Sequence, residues 1–280
     1  MLLKHKRLVT TFMFFFAVIG SGHTAPIDSS NNQITRASAL PQIAIIIDDI
    51  GDNYESGLRA LQLPGAVAYA FLPQTPFANE LAEYAAQRHK EAILHLPMQP
   101  LGEQNMGPGG LSLQMNQQQI RKVFSTHLAQ LPNIVGVNNH MGSLLTQYEK
   151  PMWWLMSELA RHGNLLFVDS LTSHQSVAAD MASRFSIPTA SRDVFLDHDP
   201  HLQEIDFQFE RLVRIAKTYG WALAIGHPYP ETLSYLEYWL PRLHKKGVRL
   251  VPLKKYVKEH QRRSKSWQLS LSPSPKAVKN

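Results

Sequence analysis

The sequence predicts an α/β protein built as an irregular (β/α) barrel of seven to eight parallel strands. Three observations carry this reading. Short apolar, β-branched runs alternate with longer helical patterns, the rhythm of βα units on a parallel sheet. The alternation continues over roughly 220 residues, which suits one barrel better than two small domains. Aspartates and histidines stand at the C-terminal ends of the runs, on the face where such barrels build their active sites.

Residues 1–25 read as a secretory signal. Lys4, Lys6 and Arg7 precede an apolar run at residues 8–19, and small residues follow (Gly20, Ser21, Gly22, Ala25). About a dozen apolar residues is short for a membrane span of ~20. Cleavage after Ala25 and after Gly22 both remain open, and an uncleaved N-terminal anchor is the other reading. Either way the domain is expected to be exported, to the periplasm. Residues 26–40 are polar and read as a flexible linker.

The barrel domain is expected over residues 41–263. Strands are predicted at residues 43–47, 66–71, 92–96, 134–137, 165–168, 194–196, 222–225 and 248–251, each a short apolar run bounded by turn or polar residues. Helices are predicted at residues 77–88, 117–131, 151–162, 177–185, 202–219 and 231–243, where apolar residues recur three and four apart. Residues 97–116 hold Pro100, Gly102, Gly107, Pro108, Gly109 and Gly110 and form a surface or rim loop. Residues 264–280 are rich in Ser, Pro and Lys and read as a disordered basic tail.

The chain has 280 residues, no cysteine and a formal net charge of +6. The missing cysteine excludes disulfides, thiolate metal sites and a thiol nucleophile. The positive charge belongs to the ends. Residues 254–280 hold eight basic residues against Glu259 alone, and with the three basic residues at the front removed the middle is net acidic by four charges. Nucleic acid is therefore not an expected partner, and the basic tail is expected at most to associate weakly with an anionic surface.

Asp48 and Asp49 end the first run, His95 the third, Asn138, Asn139 and His140 the fourth, Asp169 the fifth, Asp197 and His198 the sixth, and His227 the seventh. Adjacent buried carboxylates repel and lose solvation, so the Asp48–Asp49 pair calls for a cation or a shared proton. An N-cap role for the pair is the alternative, although Asp52 or Asn53 serves that purpose equally well. Asp49, His95 and His140 together make a facial metal-binding set with room for water. Singly, each histidine reads equally well as a hydrogen-bonded core residue. His227 would act as a general acid if Asp169 faced its imidazole, raising its pKa and fixing its orientation. The alternative is that either residue caps the next helix. Arg192 is a candidate for the barrel interior.

The segments Ile-Asp48-Asp49-Ile-Gly51, His95-Leu-Pro97-Met, Asn138-Asn139-His140-Met-Gly142-Ser143, Phe-Val-Asp169-Ser170 and Gly226-His227-Pro228 resemble the divergent polysaccharide deacetylase family, a branch of the carbohydrate esterase superfamily with a NodB-like barrel. The resemblance spans about residues 43–252. It implies metal-dependent removal of acetyl groups from sugar amides or esters in the cell envelope, with zinc as the expected divalent metal. It also implies Asp48 as general base, Asp49 as metal ligand, His95 at the start of the histidine motif, His227 as general acid and Asp169 as the aspartate that tunes it. Two departures stand out. Gln99 occupies the place, four residues after His95, of the usual second histidine, so His140 would supply that ligand. The usual Arg-x-Pro-x-Gly motif is absent, and Arg192 is the weak substitute. These departures leave a second expectation open, a catalytically inactive barrel that binds a glycan or a protein of the envelope. The oligomeric state is left open.

Overall fold

The computed structural model describes residues 40–271. The expected signal at residues 1–25, nearly all of the expected linker and residues 272–280 of the expected tail lie outside the described residues. Nine strands form one parallel sheet: β1 (Gln42–Ile50), β2 (Ala68–Phe71), β3 (Glu91–Met98), β4 (Ile134–Met141), β5 (Leu166–Asp169), β6 (Thr189–Ser191), β7 (Val194–Phe195), β8 (Trp221–Gly226) and β9 (Arg249–Leu250). Their order is β6-β5-β4-β3-β2-β1-β8-β7, with β9 paired to the first residues of β1. Among the described residues eight α-helices connect or flank them: α1 (Tyr54–Leu61), α2 (Ala78–Gln87), α3 (Gln117–Gln130), α4 (Glu149–His162), α5 (Ala178–Arg184), α6 (Leu202–Tyr219), α7 (Pro230–Trp239) and α8 (Leu253–Leu271). The sheet curls into the irregular barrel expected from the sequence.

The period-two alternation of strand side chains sorts the core into two layers. Outward residues such as Ile43, Ile45, Ile47, Tyr69, Phe71, Leu94 and Leu96 pack against the helices in one large cluster. Inward residues Ala44, Ile46, Ala68, Ala70, Ile93, Val168, Leu223 and Ile225 form a second cluster with Leu253, Tyr256 and Val257 of α8. The inner layer is rich in alanine because the barrel interior is narrow, and α8 fills its lower end. Glu91, at the start of β3, accepts the backbone N–H of Lys254 and so caps α8. Gln42, at the start of β1, donates to Glu259 at 2.7 Å. The helix runs on to Leu271, beyond the boundary near residue 263 that composition had suggested.

Three elements were not anticipated: helices α1 and α8 and strand β6. Helix α1 is short and carries Gly57, but Asn53 caps it by accepting the Ser56 N–H at 2.9 Å. Strand β6 is only Thr-Ala-Ser and has no apolar run to announce it. Elsewhere the boundaries follow local chemistry: Asn116 and Gln119 make a capping box for α3, and left-handed Gly220 ends α6.

Candidate metal centre and active site

The same alternation that buries alanines in the barrel aims the polar residues of the strand ends inward. Asp48 follows Ala44 and Ile46 on the inner face of β1, His95 follows Ile93 on β3, and Asn138 and His140 follow Gly136 on β4. Register sets His95 beside Asn138 on adjacent strands. Asp49 should face outward by parity. Its backbone is left-handed at φ 57°, and the β1–β2 register shifts between Ile47 and Ile50, so its carboxylate turns back to the inner rim. Gly51 closes this turn with φ 137° and the Thr75 hydroxyl close against it: a Cβ there would lie 2.1 Å from Thr75 Oγ1. Because Asn53 caps α1, neither Asp48 nor Asp49 has that task.

Three donor atoms converge. Asp49 Oδ1 lies 3.1 Å from His95 Nε2 and 3.0 Å from His140 Nδ1, and the two ring nitrogens are 3.1 Å apart. Asp49 Oδ1 is buried and makes no hydrogen bond of acceptable geometry. The neighbouring network sets the tautomer of His95. Asn138 donates through Nδ2 to Asp48 Oδ1 at 2.9 Å, so its Oδ1 faces His95 Nδ1 at 2.8 Å and accepts that proton. In the neutral ring Nε2 is left as a bare lone pair aimed at Asp49 and His140. Electron pairs packed this closely need a cation or a shared proton among them. One carboxylate and two imidazoles suit a borderline divalent metal, so these residues fit the metal that the sequence predicts.

The electrostatics agree with a site that stores negative charge. Burial opposes ionisation of Asp49, but its contacts with His140 and His95 outweigh it and hold its carboxyl well below the usual range. Burial dominates at Asp48, which is 2 % exposed, and raises its proton affinity against the opposing pull of His95 and His227. At His95 burial disfavours the charged ring, yet Asp48 and Asp49 carry its pKa upward.

His227 follows Leu223 and Ile225 on the inner face of β8 and points its Nε2 at Asp49 Oδ2 from 3.8 Å. The aspartate expected to align it was Asp169; the structure corrects this to Asp197. Asp169 alternates with inward Val168, so its side chain faces away from the barrel and braces its own loop. It accepts the Leu171 N–H at 2.9 Å and the Ser176 hydroxyl at 2.7 Å. Asp197 lies two residues after Phe195, which packs against the inner cluster. It accepts His227 Nδ1–H at 2.9 Å, the His227 backbone N–H at 2.6 Å and the Thr232 hydroxyl at 2.8 Å. Burial lowers the proton affinity of His227, but the hydrogen bond and charge of Asp197, followed by Asp49 and Asp48, push its pKa up to about 9. A divalent cation beside Asp49 would cancel part of that rise.

The two departures from the superfamily pattern have structural explanations. Gln99 Oε1 accepts the Leu113 N–H, and the Gln99 carbonyl accepts from Leu144 and Leu145, so this position pins the long rim loop to the barrel. Arg192 follows inward Ala190 and does face the interior. Its guanidinium donates to the Ser170 and Leu171 carbonyls and stacks over Phe195, while its charge reaches Asp48 and Asp169 without a direct bond to Asp48. Asn138 is what tethers Asp48. Asn138 and Asp197 stand at strand ends where residue type alone assigns neither a role; the signal for each is its inward parity, two residues from His140 and from Phe195.

Residues 45–257 match the family described as divergent polysaccharide deacetylase. An uncharacterized protein of Escherichia coli K12, YibQ, is 35% identical over 196 residues, which cover 70% of this chain and 61% of that one. The match thus spans about three fifths of that relative's length. An uncharacterized protein of Haemophilus influenzae Rd is 32% identical over 205 residues, 73% of either chain. A crystal structure of an uncharacterized protein from Agrobacterium tumefaciens C58 superposes with a TM-score of 0.71 at 22% identity, covering 78% of this chain and 89% of that one, and shares the fold.

Proposed function

The chain belongs to the divergent polysaccharide deacetylase family, and from that premise we propose that it is a metal-dependent hydrolase that removes acetyl groups from an N- or O-acetylated envelope carbohydrate. The observation that carries the proposal is the convergence of Asp49 Oδ1, His95 Nε2 and His140 Nδ1 beside the buried carboxylate of Asp48 and the half-buried imidazole of His227. Those three residues would hold the divalent metal, zinc by expectation. Once bound, it would polarise the acetyl carbonyl and acidify a neighbouring water.

The protein's own groups account for the proton movements. Asp48, tethered through Oδ1 by Asn138, keeps Oδ2 on the side of His95 Nε2, 3.6 Å away. It takes the proton of the attacking water as the new C–O bond forms. His227, fixed by Asp197 on Nδ1, presents Nε2–H to the site and protonates the departing nitrogen or oxygen as the acyl bond breaks. Acetate and the deacetylated sugar are the products. The N-terminal segment, read as an export signal, would bring this activity to the periplasm.

The test is acetate release from N- and O-acetylated glycans by the zinc-loaded protein, together with elemental analysis. Asp48→Asn and His227→Ala should each lower kcat by ~10²–10⁴, and His140→Ala should lose the metal. Unchanged acetate release in both catalytic variants would refute the assignment. A protein with no metal and no acetate release, yet binding the glycan, would instead support the inactive-barrel reading.

A further inference from the structure

The lower end of the barrel, opposite the catalytic rim, has the reverse electrostatic character. The inner side of α8 is buried through Leu253, Tyr256 and Val257, and its exposed positions over the same turns are Lys254, Lys255, Lys258 and Arg262. That spacing lines up four cations on one helix face. Lys258 and Arg262 form no ion pair among the described residues. The carboxylates nearby are already committed, Glu91 to the Lys254 backbone N–H, Asp193 to the Leu223 N–H and Glu259 to Gln42, with Lys255 3.9 Å from Glu259. The cationic surface continues past Pro252 into a small groove whose charged and titratable lining is Arg88, His89, Lys90 and the single acid Glu91. Lys90 is held by the carbonyls of Leu63 and Gly65 and forms no ion pair among the described residues.

Gly65 also borders a second groove at this end, of about 390 Å³ and mostly apolar, with Leu40, Pro64 and Pro241 on its rim. Leu40 is 45% exposed and leads directly into β1. The apolar run at residues 8–19 precedes it in the chain. Basic helix face, apolar rim and chain entry therefore share one end of the barrel, while Asp48, Asp49, His140 and His227 occupy the other.

We propose that this end is a docking face for a bilayer containing anionic phospholipid, with the outer face of α8 as its electrostatic contact. Among the described residues no helix is long and apolar enough to cross a membrane, so the contact would be peripheral. The apolar rim beside the cations favours a bilayer over a nucleic acid, which offers phosphates but no hydrocarbon boundary. Docked this way, the catalytic rim would face away from the lipid. The inference does not depend on the hydrolase reading.

The test compares full-length protein on vesicles of pure phosphatidylcholine with vesicles containing phosphatidylglycerol, by co-sedimentation at low and high salt. The ratio between the two vesicle types isolates the electrostatic contact from any binding by the N-terminal apolar run. Wild-type protein should prefer the anionic vesicles, and salt should erase the preference. The triple variant K255E/K258E/R262E should reduce that preference roughly hundredfold, at about fivefold per cation lost. A matched variant with the same charge change elsewhere, K122E/K150E/R214E, should keep it. Circular dichroism confirms folding of each, and a neutralising K255S/K258S/R262S variant replaces the first if it does not fold. Equal binding to both vesicle types, retention of the preference in the α8 variants, or equal loss in the matched variant would each overturn the proposal. So would a DNA duplex binding more tightly than the anionic vesicles.

Discussion

Asn138 links the proposed base to the metal site, and its removal should be felt in both. The side chain is fully buried, donates to Asp48 Oδ1 at 2.9 Å and accepts from His95 Nδ1 at 2.8 Å. Asn138→Ala leaves a buried carboxylate short of a donor and a buried ring N–H without an acceptor. Each unsatisfied group costs ~1–3 kcal/mol, so the apo-protein should lose about 2–6 kcal/mol of stability. Losing the outer partner of a histidine ligand should also weaken zinc by about 10–100-fold. Urea unfolding measures the first quantity and competition with a chromophoric chelator the second, neither requiring activity. Asn138→Asp separates the two roles. It retains an acceptor for His95 and should recover most of the metal affinity, while a second carboxylate against Asp48 forces the pair to share a proton and keeps kcat low. If Asn138→Ala bound zinc within threefold of wild type and unfolded within about 0.5 kcal/mol of it, the bridging role would be refuted.

Asp197→Asn preserves the shape beside His227 but removes the charge, so the pKa of His227 should fall from about 9 toward the ordinary imidazole range. The high-pH limb of the rate profile should then move to lower pH, and an unmoved limb would exclude His227 as the acid. The same raised pKa makes a stability prediction. Its contribution is complete below the unfolded value of about 6.5 and is lost as pH rises through about 9. The thermal midpoint of the apo-protein should therefore decline across that window, and His227→Gln should flatten the decline. Zinc at a hundred times its Kd should stabilise the protein by about 2.7 kcal/mol, an increment that His140→Ala removes. Gly51→Ala should cost about 2–4 kcal/mol in denaturant unfolding, because the new methyl meets the short, branched Thr75 side chain at a backbone angle that disfavours any Cβ.

Much of the architecture was legible because strand and helix periods are local. All eight apolar runs became strands, and the polar residues closing them marked the face of the candidate site before any pairing was known. Two of the three candidate metal ligands were legible for the same reason: His95 and His140 carry the inward parity of their strands. Strand β6 and helices α1 and α8 were not: β6 and α1 are too short to register, and α8 is mostly polar. Asp169 is the residue whose direction the sequence did not reveal. It and Asp197 are both aspartates closing apolar runs, and only their phase relative to the inward residues Val168 and Phe195 separates them. One faces the helices and the other faces His227, a difference of a single residue in phase.

By itself the chain's order of residues determined the barrel class, the acidic character of its middle, and the set of strand ends from which a site had to be drawn. Tertiary structure decided which side chains meet. The left-handed backbone at Asp49 turns it against parity into the barrel, the β3–β4 register sets Asn138 beside His95, and the β7–β8 pairing brings Asp197 under His227. Parity is a property of one strand and can be read from its residues. Register, bulges and the gathering of strands are properties of several segments at once, and they exist only when the sheet closes.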